Sequence, residues 1–85
     1  MAYEVVLTRR AIRALDALPP REEERVRAAI EVLRDQPRPP GTKKLRARTQ
    51  WRIRVGEYRV IYSIFDRDRT LIIEDVLRRT THSYD

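Results

Sequence analysis

The run Trp51-Arg52-Ile53-Arg54-Val55-Gly56-Glu57-Tyr58-Arg59-Val60-Ile61-Tyr62 alternates apolar and polar positions on both sides of Gly56-Glu57. Gly-X is the dipeptide expected in a two-residue type II′ turn, so the run predicts a β-hairpin. In that register Val55 faces Tyr58, Arg54 faces Arg59, Ile53 faces Val60 and Trp51 faces Tyr62. Arg52, Arg54 and Arg59 then share one sheet face. Directly opposed like charges destabilise a sheet, so a face that keeps three guanidiniums is expected to hold an anion. Arginine's planar fork matches phosphate geometry, and preorganised cations can stabilise charge that builds up on a reacting phosphate.

The rest of the chain must position that hairpin. Tyr3 to Leu7 is β-branched and apolar and predicts a strand. Thr8 is placed to cap a following helix, in which Ile12, Leu15 and Leu18 recur at helical spacing beside Ala11 and Ala14. Pro19-Pro20 ends that helix, and Pro20 suits the first turn of the next. The second helix carries Val26, Ile30 and Leu33 on one face, with Ala29 near them. Glutamates in its first turn and Arg34 near its end suit the helix dipole, and Glu23 with Arg27 forms an i,i+4 pair. The charges of this helical hairpin read as a solvated face. A proline-rich connector, Gln36 to Gly41, follows. Three strands close the domain: Leu45 to Val55 with an irregularity near Arg48-Thr49-Gln50, Tyr58 to Phe65, and Thr70 to Leu77 after a turn at Asp66–Arg69. The fold class is α+β in the order β-α-α-β-β-β, a helical hairpin packed on one face of an antiparallel-rich four-stranded sheet.

Parity assigns the faces. Trp51, Ile53, Val55, Tyr58, Val60, Tyr62 and Ile64 form the apolar face towards the helices, joined by Leu71 and Ile73. Ile72, Glu74, Val76 and Arg78 are expected with Arg52, Arg54, Arg59 and Ile61 on the other. A one-residue slip would exchange the faces, in which case Arg79 takes the place of Arg78.

Eighty-five residues suffice for one small domain, residues 1–85. The chain has no cysteine, which excludes a disulfide scaffold, a thiolate nucleophile and a cysteine metal site. Its apolar runs are too short to span a membrane, and no charged-then-apolar leader precedes the first strand, so a cytoplasmic protein without a membrane partner is expected. The formal net charge of +6 suggests an acidic partner, nucleic acid or protein. Of the 19 basic residues only Lys43 and Lys44 are lysine, so part of the bias is compositional. The charge is nevertheless local. Lys43, Lys44, Arg46, Arg48, Arg52, Arg54 and Arg59 lie between positions 41 and 60, against Glu57 alone.

In its length, element order, helical hairpin and basic β-hairpin, the whole chain resembles the RelE/ParE superfamily of toxins from type II toxin–antitoxin systems. The segment from Trp51 to Tyr62 is similar to the family's central motif, and Arg78-Arg79-Thr80-Thr81-His82-Ser83-Tyr84 resembles its basic, tyrosine-bearing tail. The RelE-like branch implies a ribosome-dependent mRNA interferase, an endoribonuclease that needs no metal or other cofactor and inhibits translation. Its implied partners are a cognate acidic antitoxin, mRNA in the ribosomal A site and rRNA, with operator DNA reached only through the antitoxin complex. The ParE-like branch implies instead a non-enzymatic poison of DNA gyrase. A catalytically inactive homologue kept for antitoxin binding and autoregulation is a third reading.

By this resemblance Arg52 and Arg54 match the two basic positions of the first hairpin strand, and Arg59 matches the arginine after the turn. Arg78 matches the tail arginine six residues before Tyr84. Metal-free RNA cleavage also requires proton transfer, and arginine cannot act as a base near neutral pH. His82, the lone histidine, is the expected proton-transfer residue, with Tyr84 stacking on a base or donating a proton. Glu74 could orient an arginine or accept a proton. Lys43, Lys44, Arg46, Arg48 and Arg79 are expected to attract RNA phosphates without sequence readout.

Overall fold

The computed structural model of the chain describes residues 2–46 and 49–78. Its elements are β1 (Glu4–Leu7), α1 (Arg9–Asp16), α2 (Pro20–Leu33), β2 (Lys43–Lys44), β3 (Gln50–Val55), β4 (Tyr58–Phe65) and β5 (Thr70–Arg78). The strands form one mixed sheet in the order β1-β5-β4-β3-β2. β1 runs parallel to β5, and the other pairs are antiparallel. No helix among the described residues is long and apolar enough to cross a membrane.

The sheet has five strands where four were expected. The basic segment before the hairpin does not run on into it. It reverses, with Lys43 paired to Arg52 and Lys44 to Trp51, and the Leu45 N–H donates to the Gln50 carbonyl at 2.9 Å. An irregularity was expected near Arg48-Thr49-Gln50; Arg48 lies outside the described residues, but the pairing on either side shows that the chain changes direction between Leu45 and Gln50, and Lys43-Lys44 becomes a two-residue edge strand. Lysines on a short edge strand discourage pairing with another chain.

Both helices pack on the sheet face formed by Ile53, Tyr58, Val60, Tyr62, Ile64, Leu71 and Ile73. They contribute Ala11 and Leu15 from α1 and Val26, Ile30 and Leu33 from α2. Burying a side chain such as Leu15 or Leu33 supplies about 1.5–3 kcal/mol. Ile12 is an exception to the expected apolar stripe, being 44% exposed. α1 is short and turns the Ala11–Leu15 pair inward, which leaves the next residue round the helix outside.

The hairpin register is the one the turn dipeptide predicts. Val55 pairs with Tyr58, Arg54 with Arg59, Ile53 with Val60 and Trp51 with Tyr62. Gly56 has φ +60°, the left-handed conformation needed at the first corner of a type II′ turn. The β4–β5 register departs from simple parity. Tyr62 pairs with Ile73 but Ile61 pairs with Asp75, so Glu74 is an extra residue, a β-bulge. Beyond it the faces exchange. Val76 joins the core, and Arg78 pairs with Tyr58 instead of lying with the arginines.

Thr8 holds this irregularity. Its N–H donates to the Ile73 carbonyl at 3.0 Å and its hydroxyl to the Glu74 carbonyl at 2.9 Å. The same hydroxyl accepts from the Ala11 N–H at 3.1 Å, which is the N-cap of α1. One side chain thus fixes both the start of a helix and the bulge in β5. Thr8→Ala loses a cap and a bond to a part-buried carbonyl, and is expected to destabilise the fold by about 1–2 kcal/mol in urea unfolding. An unchanged unfolding midpoint would show that neither bond matters.

Candidate functional site

The sheet face away from the helices is built by alternation. Along β3 it receives Gln50, Arg52 and Arg54. Along β4 it receives Arg59, Ile61 and Ser63, their cross-strand partners in the same register. The bulge then brings Asp75 opposite Ile61 and Leu77 opposite Arg59. Three guanidiniums therefore share one face, with Arg54 directly opposite Arg59.

Burial separates them. Arg59 is only 4% exposed and Arg52 6%, whereas Arg54 is exposed. Long arginine stems can cover apolar neighbours such as Ile61 and Leu77, so low exposure need not mean a desolvated charge at every atom. The Nε of Arg59 is enclosed and has no acceptor among the described residues, although the side chain as a whole is engaged. Guanidiniums fixed on a sheet face are preorganised donors, which can bind the oxygens of a phosphodiester and stabilise charge gained in a displacement at phosphorus.

Two carboxylates reach the same face. Asp75 is 7% exposed; its Oδ1 accepts from the Val76 N–H at 2.8 Å, and its Oδ2 lies 3.9 Å from Nη1 of Arg10. Glu74 accepts from the Ser63 hydroxyl at 2.9 Å. Asp75 was not expected there, because uninterrupted alternation puts it on the core side. The signal for it is the apolar spacing in β5. Leu71 and Ile73 are two apart, Ile73 and Val76 three apart, and such a break marks a bulge.

The other expected residues divide. Arg78 is turned away from the arginine face, and its Nη2 lies 3.6 Å from Oε1 of Glu57, an exposed pair of small worth. The parity expected for Arg78 thus fails at the bulge. Lys43 and Lys44 line the sheet edge beside Arg52 and Trp51, and Arg46 follows them on the surface. Arg48, Arg79, His82 and Tyr84 lie outside the described residues. Among the described residues no group of three or more carboxylate or histidine side chains could hold a metal ion.

A polar network ties the proline-rich connector to the hairpin. Arg38 donates to both oxygens of Asp66, at 3.2 and 2.8 Å, and Tyr3 donates to Oδ1 of the same carboxylate at 2.7 Å. The Arg38 guanidinium lies 4.8 Å from the Trp51 ring centre, and the Lys44 ammonium 5.7 Å from it. Tyr62, whose ionisation burial pushes up, donates to the Pro37 carbonyl at 2.6 Å. Trp51 and Tyr62 are therefore structural, as their helix-side parity implies.

Residues 5–82 match the family model described as the ParE toxin of the type II toxin–antitoxin system parDE. A relative from Methanocaldococcus jannaschii that carries a RelE1 toxin name is 31% identical over 83 residues, covering 93% of this chain and 92% of its own. The structure is similar to that of an archaeal RelE–RelB complex from Pyrococcus horikoshii, with a TM-score of 0.83, 29% identity, and 93% and 97% of the two chains covered. It is also similar to the toxin–antitoxin complex RelBE2 from Mycobacterium tuberculosis, with a TM-score of 0.80, 34% identity, and 93% and 100% coverage.

The Asp66 network gives an acid-sensitive signal. Hydrogen bonds from Arg38, and then from Tyr3, hold the Asp66 carboxyl below the usual carboxylate range. A carboxyl whose folded pKa is depressed stabilises the fold above its unfolded pKa. That contribution is lost as pH falls through the folded value. The pair is exposed, so its worth is under about 1 kcal/mol. Protonation should release Arg38 from its stack on Trp51, the only tryptophan. An emission step is expected in acid titration, absent in Asp66→Asn; a step that persists in the variant would show that another group reports.

Proposed function

The chain belongs to the RelE/ParE superfamily of toxins from type II toxin–antitoxin systems, and from that premise we propose that it is a ribosome-dependent, metal-free mRNA endoribonuclease silenced by a cognate antitoxin. The observation that supports this reading most directly is the row of Arg52, Arg54 and Arg59 on one sheet face, two of them nearly buried. Guanidiniums set side by side on a sheet face can hold the oxygens of a phosphodiester and offset its charge.

In the proposed reaction the 2′-oxygen attacks the adjacent phosphorus and the P–O5′ bond breaks. A cyclic phosphate and a 5′-hydroxyl result. The arginines hold the non-bridging oxygens in line and stabilise the extra negative charge. One proton must leave the 2′-hydroxyl and another must reach the departing 5′-oxygen. Arginine stays protonated and cannot take the first. Glu74 and Asp75 are already tied to Ser63 and to the Val76 N–H. Proton transfer is therefore assigned to the tail, with His82 as the shuttle and Tyr84 as stacking group or proton donor. Lys43, Lys44, Arg46 and Arg48 would add diffuse attraction to rRNA and mRNA phosphates. The similar chains from P. horikoshii and M. tuberculosis come from toxin–antitoxin complexes, which supports an antitoxin partner here. A net charge of +6 suits an acidic one.

The matched family model carries the ParE description, and this favours gyrase poisoning as the second reading. Mapping of RNA 5′ ends after induced expression separates the two. Cuts within translated codons are expected, reduced about 100-fold or more by Arg59→Ala. Arg54→Ala, at an exposed position, should reduce them without disturbing the fold. Intact mRNA with trapped cleavage complexes in a supercoiling assay would replace the first reading by the second.

A further inference from the structure

The two edges of the sheet are unequally guarded. At one edge β2 presents Lys43 and Lys44, which deter pairing with another chain. At the other edge β1 presents Glu4-Val5-Val6-Leu7, with no lysine, proline or bulge. The Glu4 and Thr8 N–H groups donate to the Arg69 and Ile73 carbonyls at 2.8 and 3.0 Å. By alternation the backbone N–H and C=O groups of Val5 and Leu7 point away from β5, and no described strand lies beyond them. The Arg34 carbonyl accepts from the Tyr3 N–H at 2.8 Å, so the open edge begins after Tyr3.

Both faces beside this edge are apolar. On the helix side Val5 and Leu7 line a cavity of about 280 Å³ together with Leu15 and Ile30. The arginines that also line it, Arg27 and Arg34, are ion-paired to Glu23 and Glu31, so the cavity calls for an apolar group and not for an anion. On the other side Val6 is 43% exposed. The two ends of the strand carry opposite charge. Glu4, on the same side as Val6, is exposed at one end. Arg10 follows Thr8 at the other; its side chain is 74% exposed and reaches Asp75 only at 3.9 Å. Such a strand is complementary to itself. Turned end for end, its acidic end meets the basic end of a second copy, and the twofold repeats that contact.

We propose that β1 pairs antiparallel with β1 of a second copy of this chain, in a symmetric dimer centred on Val6. Val5 and Leu7 of one copy exchange backbone hydrogen bonds with Leu7 and Val5 of the other, and Val6 meets Val6 in the close pair between them. Only this centre pairs both outward residues. A centre on Val5 would set Leu7 against Tyr3, whose N–H is taken, and one on Leu7 would set Val5 against Arg9, which is helical. With Val6 at the centre each face stays continuous with itself. Leu7 and Val5 of the second copy lie over the apolar cavity, and its Thr8 and Arg10 stand beside Glu4. The dimer does not depend on the function proposed above. β5 and β4 separate β1 from β3, so the arginine faces of both copies stay open on the same side of the joined sheet.

The chain has no cysteine, so a single introduced thiol reports the register. Val6→Cys should cross-link into a dimer under mild oxidation, because Cα atoms in the close pair stand about 4.5 Å apart, within disulfide reach. Glu4→Cys, at an exposed position, should not, since the two thiols would lie more than about 13 Å apart along the strands. Sedimentation velocity of the full wild-type chain should show a dimer whose fraction rises with concentration. Val6→Lys, at an exposed position, sets like charges face to face and should weaken that dimer about tenfold or more. Glu4→Arg, which places like charges together at each end, should weaken it as well. A wild-type chain monomeric at every concentration, Val6→Lys and Glu4→Arg dimers as tight as the wild type's, or equal cross-linking at positions 4 and 6 would each overturn the proposal. A chain that is monomeric alone and pairs along β1 only with a different protein would give the edge to that protein and overturn it too.

Discussion

One extra residue in β5 decides what faces the arginines. Glu74 is bulged out of the β4–β5 ladder, and every side chain after it changes sides. Without the bulge Asp75 would point into the core, where an ionised carboxylate costs several kcal/mol, and Val76 would point out. With it, Val76 completes the core and Asp75 reaches the polar face. The bulge is held from outside the strand. The Thr8 hydroxyl donates to the Glu74 carbonyl while accepting from the first turn of α1. The start of the helical hairpin and the face presented by the sheet are thereby set by the same side chain.

The face that results keeps opposed like charges at the centre of a domain with little core to spare. Arg54 and Arg59 are cross-strand partners, and like charges directly opposed destabilise a sheet. The fold accommodates them because the other face of β4 is fully used. Tyr58, Val60, Tyr62 and Ile64 all pack beneath the helices, so the hairpin cannot turn over to relieve the repulsion without exposing them. Apolar burial on one side therefore holds the cations in place on the other. The Arg38–Asp66–Tyr3 network and the Tyr62–Pro37 bond add a second restraint by pinning the connector against Trp51 and β4.

The chemistry this permits is lopsided. Three guanidiniums share the face, and the described carboxylates beside them accept hydrogen bonds from the Ser63 hydroxyl and the Val76 N–H. In the proposed reaction anion binding falls to the sheet and proton transfer to residues beyond β5. A groove between α2 and β3 has Arg52 and Arg54 in common with the arginine face, and Arg25 adds a further guanidinium to the groove from α2.

Local patterns made much of this legible before any coordinates. Gly56-Glu57 and strict alternation specify the hairpin register, because a two-residue turn leaves its flanking residues no other pairing. Thr8, Pro19-Pro20 and the helical spacing of Val26, Ile30 and Leu33 specify the helices through contacts within a turn or two of chain. Other features depend on residues far apart in sequence. The parallel pairing of β1 with β5 and the reversal that makes Lys43-Lys44 an edge strand are of this kind. So are the bulge that exchanges Arg78 for Leu77 on the arginine face and the seating of Arg25 over Gly56. Periodicity carries no information about such contacts, since their free energy comes from packing one element on another. The sequence by itself determined that three arginines share a face. Only the tertiary structure decided which of them are buried, which carboxylates join them and which helix contributes a fourth cation beside them, because only packing sets the distances on which burial and charge depend.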